Sequence, residues 1–514
     1  MSEKHLYSYD EFKITAEKFK NVEFEEALEH TEKSRFLAGF GKYNLALILI
    51  CGLTLYGVNS EAYAVGYVLP SAECDLELDT YMKGILTSTN FIGITGTCCI
   101  WGYLSDTKGR KSVLTISLIL AFVCSVAAAF VPSFWGFAIL RFCNGIFIAG
   151  PSAIVYAYFG EFQNRIYRST AMAWMSLFIA LALITLPGLG WSLLPQHLHL
   201  SIFGLTLNSW RLFMLLISIP NLLAAIAFIK LPESPKFLYH NGQLEEAIQV
   251  LRQIYTINTG KPGDTFPVES LDDKVLLQVD PNKNKNILMD FWGQIAPLFV
   301  PPHLKYSLAS GVMQGGVFAV SSGVLLWYPD IINQLSHSAN SNVSVTVCQA
   351  LSSVEESAEE AIRCVEDNIN DQVFIQNIII GVAYLVFYVV WGFVVNFLGN
   401  RNFFGLCMIV SAVSLVLLNF LTHKVLIDVL FVVLLTLPGI CVAVINLLMV
   451  DIIPTHLCGM AVCLVMTAGR IGSIVSSSVV GVMLQWNCTV TFNLYAVNLI
   501  VCLLLIFVFP KHST

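Results

Sequence analysis

The sequence predicts an all-α membrane protein of twelve transmembrane helices arranged as two parallel six-helix halves. Three observations carry this: composition, a series of apolar runs, and an internal repeat. Of 514 residues, 56% are hydrophobic and only 12% charged, against about 25% charged in soluble domains. Twelve apolar runs of roughly 19–26 residues are each long enough to cross a bilayer. They cover 44–69, 84–104, 113–131, 134–157, 171–194, 211–230, 305–328, 373–397, 403–421, 425–447, 459–483 and 491–509. The repeat is arithmetic: Gly102, Asp106, Gly109 and Arg110 recur as Gly392, Asn396, Gly399 and Asn400, each 290 positions later. Glu161 recurs at the same offset as Asp451 (161 + 290 = 451). Two parallel copies of one unit imply an axis along the membrane normal and a central site near the midplane.

Lys and Arg set the orientation. One side receives Lys33, Arg35, Lys42, Lys108, Arg110, Lys111, Arg165, Arg168, Lys230, Lys236, Arg252, Arg401 and Lys511; the other receives Lys83, Arg211, Arg363 and Lys424. The richer side is expected to be cytoplasmic, with both termini there. The organisation that follows is a cytoplasmic N-terminal segment (1–42), a first half (43–230), a cytoplasmic central loop (231–303), a second half (304–509) and a cytoplasmic tail (510–514). An extracytoplasmic loop at 329–372 holds most of the acidic excess, including Glu355, Glu356, Glu359 and Glu360. The first 40 residues read as a solvated amphipathic helix from Tyr9 to Phe40, not as a cleavable signal. The central loop contains one soluble-type helix, Leu244 to Tyr255, with apolar residues at helical spacing. No basic tract points to nucleic acid.

Ten of the fourteen cysteines lie within or at the ends of apolar runs, where they act as small hydrophobes. Cys74, Cys348, Cys364 and Cys488 fall in extracytoplasmic segments, where disulfides are allowed. Cys348 and Cys364 share one loop and are a possible pair. Asn342-Val-Ser344 and Asn487-Cys-Thr489 are glycosylation sequons on the permitted side, the second in a very short loop. No spacing suggests a metal site, and none suggests a cofactor. There is no phosphate-binding loop, no H-E-x-x-H and no G-x-S-x-G, so an enzyme is not expected.

The stretch Gly102-Tyr-Leu-Ser-Asp106-Thr-Lys-Gly109-Arg110-Lys111 reads as a short charged turn between two spans. It closely resembles the loop between the second and third helices of major facilitator superfamily transporters. Further segments narrow the resemblance: Gly66-Tyr-Val-Leu-Pro-Ser-Ala-Glu73, Glu161-Phe-Gln-Asn-Arg-Ile-Tyr-Arg168, Ser209-Trp-Arg211, Pro232-Glu-Ser-Pro-Lys-Phe237 and Trp327-Tyr-Pro-Asp330. Together these resemble the synaptic vesicle glycoprotein 2 family and its insect-type relatives, a group similar to organic ion transporters and sugar porters. The sequence departs from that pattern at Ser321-Ser322-Gly323, in place of an aromatic pair, and at Leu457-Cys458, in place of an Arg.

The resemblance implies the major facilitator fold and a secondary transporter of a small organic solute working by alternating access, with proton coupling open. Its alternative is a transporter-like vesicle membrane protein with little or no transport, acting through partner or cargo interactions. The plasma membrane and a vesicle membrane are both consistent with it. Four residues are candidates for the substrate or proton pathway. Glu61 lies in the outer half of the first span, where a carboxylate is costly unless paired, hydrated or protonated. It either binds a cationic group or coupling proton, or is simply solvated. Arg141 opens the R-x-x-x-G-x-x-x-A pattern of the fourth span, with a structural hydrogen bond as its other reading. Trp174 can stack on a ring or, more ordinarily, pack. Arg470 lies about 16 Å along the eleventh span at 1.5 Å per residue, near mid-membrane, where it binds an anion or forms a structural pair. Gly102, Asp106, Gly109, Arg110, Glu161, Arg168 and Asp451 are expected to build a cytoplasmic gate by charge-assisted bonds.

Overall fold

The structure, a computed structural model, describes residues 40–72, 75–76, 78, 80–163, 165–196, 199–202, 205–267, 292–293, 295–301, 303–325, 328, 347–348 and 371–509. The expected N-terminal helix, Asn342, Cys74, Cys364 and the acidic stretch around Glu355 lie outside these. The first six membrane helices are α1 (Lys42–Ala72), α2 (Thr80–Lys108), α3 (Arg110–Phe130), α4 (Phe134–Phe162), α5 (Arg165–Leu193) and α6 (Ser209–Lys230). Two shorter helices follow, α7 (Pro235–His240) and α8 (Leu244–Thr259). Then come α9 (Leu304–Phe318), α10 (371–398), α11 (400–418), α12 (Lys424–Ile452), α13 (455–486) and α14 (488–505). Ten of these are long and apolar enough to span on their own. The other two membrane helices are α2, diluted by Thr, Ser and Asn, and α9, which is prolonged by a π-helical turn, Ala319–Gly323.

Most of the membrane helices are apolar on nearly every side, as expected where lipid covers one face and protein the other. Ile116, Val123, Ile139 and Val386 stand on the exposed surface, while the small residues Gly102, Gly145 and Gly472 let backbones meet. Among the described residues, the one departure from an all-α chain is a short antiparallel hairpin, β1 (His199–Ile202) with β2 (Leu205–Asn208), His199 facing Asn208. It connects α5 to α6 and leaves the membrane architecture unchanged.

The charged turn expected at 102–111 does not exist as a loop. The helix α2 runs on to Lys108 and α3 begins at Arg110, so the junction is one residue, Gly109. Its φ of 98° is open to glycine and costly for other residues. A Cβ there would lie 2.4 Å from Glu233 Oε2. Gly399, the partner at offset 290, joins α10 to α11 in the same way with φ 74°. Gly109→Ala is therefore expected to cost about 1–2 kcal/mol in backbone strain alone, with the Glu233 clash added. A lowered unfolding temperature in detergent would show it; an unchanged one would refute the single-residue hinge.

On the face that carries Lys108, Arg110 and Lys230, hereafter the basic face, α8 docks against the bundle. It buries Ala247, Ile248, Leu251 and Ile254 and starts with Glu245 and Glu246, which suit a helix N-terminus. Asn258 fastens it: its Oδ1 accepts from the Tyr43 N–H at 2.9 Å and its Nδ2 donates to Asn44 Oδ1 at 2.9 Å. Asn44 Nδ2 passes the network on to Gln163 Oε1 at 3.0 Å. At the opposite face, Arg211 donates to Asp75 Oδ2 and to the carbonyls of Ala129 and Val131, tying the α1–α2 connection and the end of α3 to the start of α6.

Cys348 is bonded to Cys488, at the start of α14, and not to Cys364. Sharing a loop suggested the latter pair, but the fold brings Cys488 of the twelfth membrane helix to Cys348 across a separation of 140 residues. Asn487 forms the α13–α14 junction, and its Oδ1 caps α14 by accepting from the Val490 N–H at 3.0 Å.

Candidate functional site

A small cavity lies where the first six membrane helices meet the last six. Its lining comes from both groups. From the first come Asn59 and Tyr63 of α1 and Ser152 and Tyr156 of α4. From the second come Ser321 and Ser322 of the π-helical turn, Tyr384 and Tyr388 of α10, and Met466 and Arg470 of α13. The mixture of hydroxyls and aromatic rings suits a small polar organic molecule. The π-turn is part of the construction. It frees the Ala319 carbonyl, which accepts from Ser476 Oγ at 2.7 Å, and it aims two serines inward. Such turns recur at functional sites.

Arg470 reaches this cavity, as its depth in the sequence suggested. It is 5% exposed and lies over two aromatic rings, 5.0 Å from Phe318 and 5.8 Å from Phe91. Among the described residues it forms no ion pair with a carboxylate, and its Nε lacks a hydrogen-bond partner.

Glu61 and Arg141, read separately in the sequence, form one buried pair. Arg141 Nη1 lies 2.8 Å from Glu61 Oε2, and Arg141 Nη2 donates to the Glu61 carbonyl. Both are fully buried, and among the described residues Glu61 Oε1 and Arg141 Nε have no hydrogen-bond partner. Asn90 Nδ2 adds a bond to the same carbonyl at 3.3 Å. The pair packs within the first six helices and does not line the cavity. Trp174 does not reach the cavity either. Its side of α5 faces α10, and its ring meets Phe393 edge-on at 5.7 Å, with Phe393 59% exposed on the outer surface.

The seven residues grouped at the basic face resolve into two linked clusters. In the first, Arg110 Nη2 lies 2.8 Å from Asp106 Oδ1 and Arg110 Nε 3.1 Å from Glu161 Oε2, with the guanidinium over Phe237. Asp106 Oδ2 accepts from the Met460 N–H at 2.9 Å. That bond crosses to the second turn of α13. In the second cluster, Arg168 pairs with Asp451, again across the two groups of helices. Gly102 permits the approach, since a Cβ there would lie 3.0 Å from Cys463 Cβ. The pseudo-equivalent of Arg110 is neutral: Asn400 Nδ2 donates to Ser169 Oγ at 3.0 Å.

Glu233 belongs to this cluster too, although the sequence marks it only as part of the Pro232–Phe237 segment. It accepts from the Lys111 N–H at 3.1 Å and from the Ser234 N–H at 3.0 Å. Burial pushes its carboxyl above the ordinary range, and these donors partly oppose that. Its flanking prolines are the only signal that it holds a fixed place.

The chain as a whole is similar to known transporters. Residues 32–300 match the family described as "Sugar (and other) transporter". The chain belongs to that family, within the major facilitator superfamily. Membership sets it among membrane transporters rather than enzymes. It is similar to synaptic vesicle glycoprotein 2A of Rattus norvegicus, 30% identical over 319 residues, covering 58% of this chain and 43% of the relative. It is also similar to synaptic vesicle glycoprotein 2B of Homo sapiens, 28% identical over 331 residues, covering 60% and 48%. The matched part thus spans less than half the length of these relatives. In fold, the family member resembles the proton:xylose symporter XylE (TM-score 0.62, 17% identity, 90% of this chain and 95% of that one). It likewise resembles the human organic anion transporter MFSD10 (TM-score 0.61, 12% identity, 90% and 99%).

Proposed function

We propose that this protein is a secondary transporter of a small organic anion that works by alternating access, with its basic face in the cytoplasm. The observation that carries the proposal is the central cavity shared by both helix groups, with Arg470 aimed into it. Burying an ion costs several kcal/mol, and aromatic faces return only about 2 kcal/mol when desolvated. The guanidinium has capacity left for a carboxylate or similar anion entering the cavity. The hydroxyls of Tyr63, Tyr156 and Ser321 would complete the recognition.

The bonds Asp106–Met460, Arg168–Asp451 and Asn400–Ser169 all cross between the two groups at the basic face. They act as the gate and bias the state that is closed to the cytoplasm. Asp106→Ala or Arg110→Ala is expected to reduce transport chiefly through the rate of state exchange. Substrate affinity should change much less. Distance measurements between labels on the two halves would separate these effects, and a mutant with ordinary exchange kinetics would refute the gate.

The Glu61–Arg141 pair supplies the proton site in this reading: protonation of Glu61 releases Arg141 and loosens α1 from α4. A vesicle membrane fits the similarity to synaptic vesicle glycoproteins 2A and 2B, and the Asn342 sequon and the Cys348–Cys488 bond then face the lumen. Purified protein in liposomes, given organic anions, cations and neutral sugars under an imposed proton gradient, tests the proposal. Accumulation of anions carries it. The absence of uptake for every solute would favour a non-transporting vesicle protein, a reading to which the neutral Asn400 lends some support.

A further inference from the structure

Gln314 of α9 and Asn446 of α12 meet Met466 of α13 on the basic-face side of the cavity. Gln314 Nε2 donates to Met466 Sδ at 3.1 Å, and Asn446 Nδ2 donates to the same sulfur at 3.4 Å. A thioether is a weak acceptor. Both amides are fully buried, and among the described residues Gln314 Oε1 and Asn446 Oδ1 have no hydrogen-bond partner. A buried amide used this poorly forfeits its hydration for little return, so two of them on one sulfur call for a further partner. Met466 lines the cavity and separates the amides from it. Its unbranched side chain is the kind that repacks easily. Arg470 stands one turn further along α13 than Met466, as Phe318 stands one turn beyond Gln314 on α9, and its guanidinium lies over that ring. Gly469 allows this packing, since a Cβ there would lie 2.9 Å from Gln314 Cγ and 2.5 Å from Phe318 Cδ2. The guanidinium and the amides are thus offset by about one helical turn, ~5.4 Å.

We propose that Gln314 and Asn446 form a second pole of the binding site, and that the cargo is a small heteroaromatic acid whose ring carries a lactam edge, an N–H beside a C=O. The inference rests on the reading of Arg470 as the carboxylate contact. A primary amide presents one donor and one acceptor side by side, so it pairs with such an edge through two hydrogen bonds, as Asn and Gln do with base edges. Met466 turns aside as the ring enters, and its weak contacts are exchanged for ordinary ones. The span of about one helical turn between the poles matches a single six-membered ring. Phe318, Tyr156 and Tyr388 line the space around it, and aromatic faces stack on a flat ring. A polyol fits less well, because polar groups of the lining are already engaged. Tyr384 Oη donates to the Leu435 carbonyl at 2.9 Å, and Asn59 Nδ2 donates to the Leu55 carbonyl at 2.7 Å. An ammonium in place of the lactam would be buried against neutral amides with no counter-charge beside it.

The test measures equilibrium binding to the full chain in lipid nanodiscs, so it does not depend on transport. Orotate carries a carboxylate and a lactam edge on one ring. Benzoate keeps the ring and the carboxylate, uracil keeps the ring and the lactam, and gluconate puts hydroxyls in place of the ring. The parent is expected to bind orotate about tenfold to a hundredfold more tightly than benzoate. In Gln314→Leu that preference should vanish. Asn446→Leu serves as a second loss variant should Gln314→Leu fold poorly. The proposal is overturned if the parent binds orotate and benzoate alike, if the preference survives both substitutions, or if gluconate binds more tightly than orotate. In each of those cases the organic-anion reading stands. Uracil bound by the parent and lost in the variants, with no acid bound, would keep the amide pole and refute Arg470 as the anion contact. Binding of none of the four probes would overturn both.

Discussion

Arg470→Asp is expected to reverse the charge preference of uptake. In the parent, the guanidinium sits between Phe91 and Phe318 at the edge of the cavity with no carboxylate partner among the described residues. A hydrogen bond to a charged group is worth about 1.5–3 kcal/mol, so losing it should weaken uptake of an organic anion by about one to two powers of ten. The aspartate places a negative charge at the same point, and an organic cation should then compete better than an anion. Arg470→Gln separates charge from shape: it keeps a donor and should lose the anion without gaining the cation. Anion uptake that survives both substitutions would make Arg470 a packing residue. Collapse of folding in both would do the same for the aspartate result, which is why thermal unfolding must accompany the assay.

The second large effect concerns Glu61. The pair with Arg141 is buried on both sides, at 2.8 Å. Removing one member of such a pair costs about 3–5 kcal/mol, because the other charge is left uncompensated. Glu61→Gln is milder: the amide oxygen still accepts from Arg141, but no proton can be taken up at physiological pH. The expected outcome is normal expression with loss of uptake, including loss of any response to a proton gradient. Arg141→Met alone should fold poorly, and adding Glu61→Gln to it should restore folding without restoring transport. Unchanged uptake by Glu61→Gln would assign the pair to structure alone.

The membrane helices were legible because lipid imposes a length and a composition that appear directly in the chain. The helix ends were less so: α2 and α4 continue past their apolar runs because Asp106, Arg110 and Glu161 satisfy one another at the basic face. The depth of Arg470 followed from counting residues along a helix. What it faces did not, since Phe91 and Phe318 belong to other helices. The same limit applies to Glu61 and Arg141, 80 residues apart, and to Cys348 and Cys488. Each of these partnerships is made by packing between helices. Trp174 failed as a cavity candidate for a related reason: a near-uniform apolar helix carries no periodic sign of which side meets lipid. The π-turn at Ser321 and Ser322 had no sign beyond small, polar residues where the family pattern is aromatic.

Cys488 opens α14 and Cys348 lies in the connection between α9 and α10, so the bond joins two parts of the second half. The bridge therefore binds the loop to one moving body and leaves the other untouched. Whatever that loop carries, whether a sugar at Asn342 or a bound partner, travels as a passenger of the second half. A large passenger would add drag and bulk to one arm of the molecule alone, so it could slow the exchange of states without touching the cavity.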